Sequence, residues 1–162
     1  MKLSDCENNG AINGRYSAGG IAQCIENKNS NEAEVSNCIN NGNVFGGAEA
    51  AGIIDYAEGI TVTNCINNGN ISSNGYVGGI FSYTSSVKGT GLVNNGKISG
   101  LEDIGGISAY DEGNSIFSKL YNTGVIDEEN IGTQVSNLVK LGESSTAVSY
   151  THLRAHETTL HL

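Results

Sequence analysis

One short phrase returns five times along this chain, and its spacing constrains the fold more than any other feature. It reads Cys6-Glu7-Asn8-Asn9-Gly10, Cys38-Ile39-Asn40-Asn41-Gly42, Cys65-Ile66-Asn67-Asn68-Gly69, Leu92-Val93-Asn94-Asn95-Gly96 and Leu120-Tyr121-Asn122-Thr123-Gly124. The closing glycines lie 32, 27, 27 and 28 residues apart. A fixed period in this range marks units that cannot bury their apolar face alone and must stack on their neighbours.

Counting from each closing glycine exposes further columns. Two residues on stand Ile12, Val44, Ile71, Ile98 and Ile126, β-branched side chains suited to a pleated backbone. Ten residues on, Gly20, Gly52, Gly79 and Gly106 each precede an isoleucine, and four residues later come Cys24, Tyr56, Tyr83 and Tyr110. Six residues before the closing glycine stand Ser4, Ser36, Thr63, Thr90 and Ser118. The fifth unit lacks the Gly-Ile column, because Gln134 takes the glycine's place.

No long window shows the apolar spacing of an amphipathic helix. Each unit instead offers three strand-like stretches separated by Gly, Asn and Ser, residues that supply the positive-φ corners of tight turns. The expected fold is all-β: a parallel β-helix of about five coils of ~27 residues, three short strands per coil, stacked at roughly 4.8 Å. The solenoid is expected over residues 1–136, with an irregular end over 137–147 and a non-native tail over 148–162. Asn8, Asn40, Asn67, Asn94 and Asn122 share one column, so their amides are expected to form a hydrogen-bonded ladder along the stack.

Val77-Gly78-Gly79-Ile80-Phe81-Ser82-Tyr83, preceded by Asn64-Cys65-Ile66-Asn67-Asn68-Gly69-Asn70-Ile71, resembles the GLUG-type repeat. That repeat combines a Gly-Gly-aliphatic-x-x-Tyr core with an Asn-Cys-x-x-x-Gly-Asn-Val segment. The likeness covers residues 3–136 and is strongest over 35–110. It implies a β-helical stalk, spacer or adhesive segment of an exported bacterial surface protein, some of which carry zinc peptidases elsewhere in the chain. The repeat has no catalytic residues to carry over. This chain departs from it in using isoleucine after the glycine pair and Cys24 in the tyrosine column.

Composition changes from Val148 onward. All three histidines and one of the two arginines fall within 148–162. The run Val148–Thr158 resembles the conceptual translation of a transposase sequencing adapter, so residues 148–162 are set aside as non-native. With them goes the one histidine pair at helical spacing, His152 and His156, whose neighbour Glu157 lies outside the pair rather than within it. No metal, cofactor or catalytic residue is assigned.

Removing that tail takes away Arg154 and Glu157, one charge of each sign, so the net charge of −9 is unchanged. Such a balance argues against nucleic acid and anionic membrane surfaces, where Lys and Arg supply affinity. No segment is apolar enough to insert in a membrane as a helix. The absence of a leader and of polar caps leads to the expectation of a piece of a longer reading frame, covalently continuous with further domains. Its export signal would lie outside this segment, and its place would be extracellular, at the cell surface.

Candidate chemistry is sparse. Cys6, Cys38 and Cys65 share a column with Leu92 and Leu120, which reads as an inward apolar position filled by free thiols. Stacking near 4.8 Å is wider than the ~3.5–4.5 Å that disulfide Cβ atoms prefer. Carboxylates gather at turns: Glu102 and Asp103; Asp127, Glu128 and Glu129; Asp111 and Glu112, the last matching Glu26 and Glu58. They could hold Ca²⁺ or serve a β-helical polysaccharidase, but neither the Ca²⁺ nonapeptide pattern nor an accompanying base is present, so solvated turn charges are expected. The ligand, a host or wall glycan or a protein, is left open. The extra residues within Asn27–Glu34 are expected to project from one coil.

Overall fold

The computed structural model describes residues 1–28 and 32–127, and the backbone of 135–136 and 139–141. The first coil contains β1 (Lys2–Ser4), β2 (Glu7–Asn8), β3 (Ile12–Gly14), β4 (Ser17–Gly19) and β5 (Ala22–Glu26). The second repeats this order as β6 (Glu34–Ser36), β7 (Ile39–Asn40), β8 (Val44–Gly46), β9 (Glu49–Ala51) and β10 (Ile54–Glu58). The third contains β11 (Thr61–Thr63), β12 (Ile66–Asn67), β13 (Ile71–Ser73), β14 (Tyr76–Gly78) and β15 (Phe81–Ser85). The fourth has β16 (Lys88–Asn94), β17 (Ile98–Ser99), β18 (Ile104–Gly105) and β19 (Ser108–Asp111), and β20 (Ile116–Asn122) opens the fifth. Two short strands, β21 (Val135–Ser136) and β22 (Val139–Leu141), pair onto β18 and β19. Thus the segment 137–147, read from sequence as irregular, contributes a further strand.

Among the described residues every pairing is parallel; up to β20 it joins like positions of successive coils, while β19 and β22 pair with a shift of register. Ile71 stands between Val44 and Ile98, Asn67 between Asn40 and Asn94, and Tyr56 between Cys24 and Tyr83. The chain is an all-β parallel β-helix. Its coil is divided more finely than into three strands: five short strands form four sheets, the first two columns belonging to the same sheet. A left-handed residue recurs at the same place in each coil, with φ of 57° at Asp5, 54° at Asn37, 53° at Asn64, 66° at Gly91 and 53° at Lys119; the first three fall between strands, while Gly91 and Lys119 lie within the continuous β16 and β20.

Two apolar clusters run along the axis. The larger unites Val35, Cys38, Ile53, Cys65, Ile80, Phe81, Leu92, Ile107, Phe117 and Leu120; the smaller unites Val44, Ala50, Ile71, Val77, Ile98 and Ile104. The column that holds Cys in the first three coils and Leu in the next two is therefore interior, with Cys38, Cys65, Leu92 and Leu120 all buried. Full burial of each large aliphatic side chain is worth about 1.5–3 kcal/mol, and only stacking makes that burial possible.

An amide ladder links the coils. Asn8 Nδ2 donates to Asn40 Oδ1, Asn40 to Asn67 and Asn67 to Asn94, each at 2.7 Å, and Asn94 donates to Asn122 at 2.8 Å. The second amide proton goes to the carbonyl of the closing glycine, as in Asn67 Nδ2 to Gly69 O at 2.8 Å. A carbonyl can only accept, so this contact fixes which amide atom is nitrogen. A second, exposed ladder runs beside it in the opposite sense: Asn41 donates back to Asn9 at 2.9 Å, and Asn68 to Asn41 and Asn95 to Asn68 at 2.8 Å. Thr123 Oγ1 closes this second ladder on Asn95 at 2.7 Å.

Candidate functional site

The outer face of β5, β10, β15 and β19 carries the most chemically distinctive surface. Alternation along a strand sends residues i and i+2 to one side, so the tyrosine column and the carboxylate two residues later point the same way. Tyr56 and Tyr83 stack with centroids 4.8 Å apart and planes 8° apart, and Tyr83 meets Tyr110 at 5.3 Å and 30°. Tyr76, from the neighbouring sheet, leans on Tyr110 at 6.1 Å. Offset and tilted ring pairs of this kind add about 0.5–1.5 kcal/mol beyond area burial.

Carboxylates hold the phenols. Tyr56 Oη donates to Glu58 Oε2 at 3.0 Å, and Glu112 holds the hydroxyl of Tyr83. Burial, then the Glu58 hydrogen bond, pushes the Tyr56 phenol up to about 12, and burial and Glu112 raise Tyr83 in the same direction. Both phenols therefore stay protonated as donors. Glu26 stands in register with Glu58, and Lys28 Nζ pairs with Glu26 Oε2 at 2.7 Å. Cys24, in the tyrosine column of the first coil, is exposed.

Past Glu26 and Glu58 the chain turns through Asn27 and Gly59 into a cleft of about 320 Å³. Ile60 lines it among polar neighbours that include Glu32, Glu34, Thr61 and Lys88. This cleft adjoins the extra residues of the longest repeat, of which 29–31 lie outside the described residues.

Among the described residues, the acidic groups singled out in the sequence do not converge on a cation site. Asp127 Oδ2 pairs with Lys97 Nζ at 3.0 Å, Glu102 is exposed and Asp103 is half-buried. Glu128 and Glu129, like His152, His156 and Glu157, lie outside the described residues. No three His, Cys, Asp or Glu side chains gather as a metal cluster among the described residues.

Asp111 requires a correction, since it is buried rather than a solvated turn charge. It occupies the inward column of Ala57 and Thr84, where its Oδ1 accepts from Thr84 Oγ1 at 2.9 Å and from Ser115 Oγ. Asp55, which the sequence reading passes over, is buried as well. The Ser82 hydroxyl donates to its Oδ1, while among the described residues its Oδ2 has no hydrogen-bond partner. Burial pushes the Asp55 carboxyl up to about 6, Ser82 pulls the other way, and the charge of Glu49 raises it further. The available signal was a lone acid inside Ile53-Ile54-Asp55-Tyr56-Ala57, a run otherwise fit for a half-buried strand.

Comparison of the chain with protein-family models, with curated proteins and with solved structures finds no match. Among the described residues no helix is long and apolar enough to cross a membrane.

Proposed function

We propose that the chain is a non-enzymatic repeat segment, a stalk or spacer with an adhesive face, of an exported bacterial cell-surface protein. The observation that carries this reading is the Asn8–Asn40–Asn67–Asn94–Asn122 ladder, in which each amide from Asn8 to Asn94 spends one proton on its own coil and one on the next. A rod whose every layer is bonded to the next in the same way suits a module that sets distance and presents a surface. The likeness of the Gly-Gly-Ile-x-x-Tyr and Asn-Cys motifs to GLUG-type repeats supports the cell-surface setting. The tyrosine and carboxylate face supplies the adhesive element, with polar groups arranged around aromatic rings.

The test is localisation. Antibodies raised against residues 1–127 should label intact, unpermeabilised cells of the source organism. Labelling only after lysis would overturn the surface reading. Release of new reducing ends from a polysaccharide by the purified chain would overturn the non-enzymatic one.

A further inference from the structure

The stack of rings stops one coil short. Tyr110, Tyr83 and Tyr56 follow one another along the axis, and the residue in register with Tyr56 on the first coil is the exposed Cys24. Among the described residues no ring lies on the side of Tyr56 turned toward that coil. The resulting gap is one coil thick, the separation of 4.8 Å at which Tyr56 and Tyr83 already accept each other.

The rim of the gap offers donors and acceptors together. Glu58 has lone pairs left after accepting from Tyr56, and Glu26 and Lys28 form an ion pair in the neighbouring coil. The same strands lead through Asn27 and Gly59 to the 320 Å³ cleft.

We propose that the gap above Tyr56 is a subsite for one pyranose ring of a glycan, whose chain continues past Asn27 and Gly59 into the cleft. The inference rests on the adhesive reading and names its ligand class. A sugar ring has an apolar C–H face and an edge of hydroxyls that each donate and accept. An aromatic floor with a rim of carboxylate and ammonium matches both parts. A simple cation matches less well, because Lys28 already answers Glu26. A flat apolar ring would fill the gap but leave the polar rim without partners, at a desolvation cost. Only the first coil carries the small residue, so one such subsite is present in the described stack.

Saturation-transfer NMR on the full chain tests this with cellotriose, chitotriose and mannotriose as probes. At least one trisaccharide should receive saturation at its ring C–H protons. Cys24→Tyr, which extends the existing stack into the gap at an exposed position, should weaken that signal at least tenfold, and Tyr56→Leu should do the same. Absence of transfer to all three probes, or an undiminished signal in folded Cys24→Tyr, would overturn the subsite. Failure here with labelled intact cells would leave the surface stalk standing. Transfer from a protein found only inside cells would do the reverse.

Discussion

Gly52 lies directly against Asn67: a Cβ at position 52 would come within 2.4 Å of the Asn67 Cγ and 2.1 Å of the Gly79 carbonyl oxygen. The same relation joins Gly20 to Asn40 and Gly79 to Asn94, at 2.6 and 2.5 Å. Two columns twelve residues apart in each repeat are thus one device. The amide ladder crosses the interior and abuts the corner where the chain turns between sheets, and it does so because that corner has no side chains. The ladder and the glycines together form a polar septum between the two apolar clusters.

Alanine at position 52 should therefore be costly. Overpacking of this kind costs typically 1–3 kcal/mol, and contact with backbone places Gly52→Ala at about the upper end. Urea denaturation followed by far-UV circular dichroism measures it. The double variant Gly52→Ala/Asn67→Ala should not recover the loss, since the Gly79 carbonyl remains in the way. Recovery in the double variant would show that the side chain alone sets the limit.

Position within the ladder should decide the cost of breaking it. Leucine at 67 leaves one proton of Asn40 and the oxygens of Gly69 and Asn94 without partners in a buried setting. Each stranded group costs about 1–3 kcal/mol, so Asn67→Leu should lose more than ~3 kcal/mol. Asn8→Leu, at the half-buried first rung, should lose about 1 kcal/mol, because water reaches the groups it abandons. Equal midpoints in denaturant for the two variants would contradict a buried ladder.

The stack itself was legible because like residues recur at a fixed distance. Ile12, Val44, Ile71 and Ile98 identify an inward position, and their parallel register follows from the period. The role of the glycines was not legible. Of the described glycines only Gly59, Gly91 and Gly113 have positive φ, while Asp5, Asn37, Asn64, Ser86, Asn114 and Lys119 occupy left-handed positions without being glycine. Gly42, Gly69, Gly96 and Gly124 are required because a Cβ would strike the preceding coil's glycine carbonyl at 1.8–1.9 Å. Such a contact spans two coils, and composition cannot show it. Asp55 escaped for a related reason, since its column passes through Gln23, Ser82 and Ala109 and has no repeating chemistry to flag it. The gap above Tyr56 was present in the sequence as Cys24 in a tyrosine column, but its meaning needed the ring-to-ring distance.

Stability should fall as pH rises through the Asp55 titration. Its folded-state carboxyl titrates near 6, above the ordinary 3.8, so the native state holds a proton that the unfolded chain has released. Between about pH 4 and 6 the native state therefore binds more protons, and stability declines across that window and levels off above it. Asp111 is shifted in the same direction by burial. Asp55→Asn should flatten part of the decline and raise stability at pH 7 by on the order of 1 kcal/mol. Thermal melts at pH 4.5 and 7 check this, and an unchanged difference between the two melts in the variant would exclude Asp55 as its source.

The four thiols should separate by location. Cys24 is exposed on the outer face, Cys6 is half-buried in the first coil, and Cys38 and Cys65 are buried beneath the neighbouring coils. Thiol reagents attack the thiolate, and burial pushes Cys65 up to about 12, so both access and ionisation protect it. Cys38 is raised by burial as well. At pH 8, a chromogenic disulfide reagent should titrate one thiol quickly and a second slowly, with the remaining two appearing only in denaturant. Mass spectrometry of the labelled peptides should find the fast site at Cys24. Rapid labelling of Cys65 in the native protein would mean that the coils part on the timescale of the reaction, which the continuous amide ladder opposes.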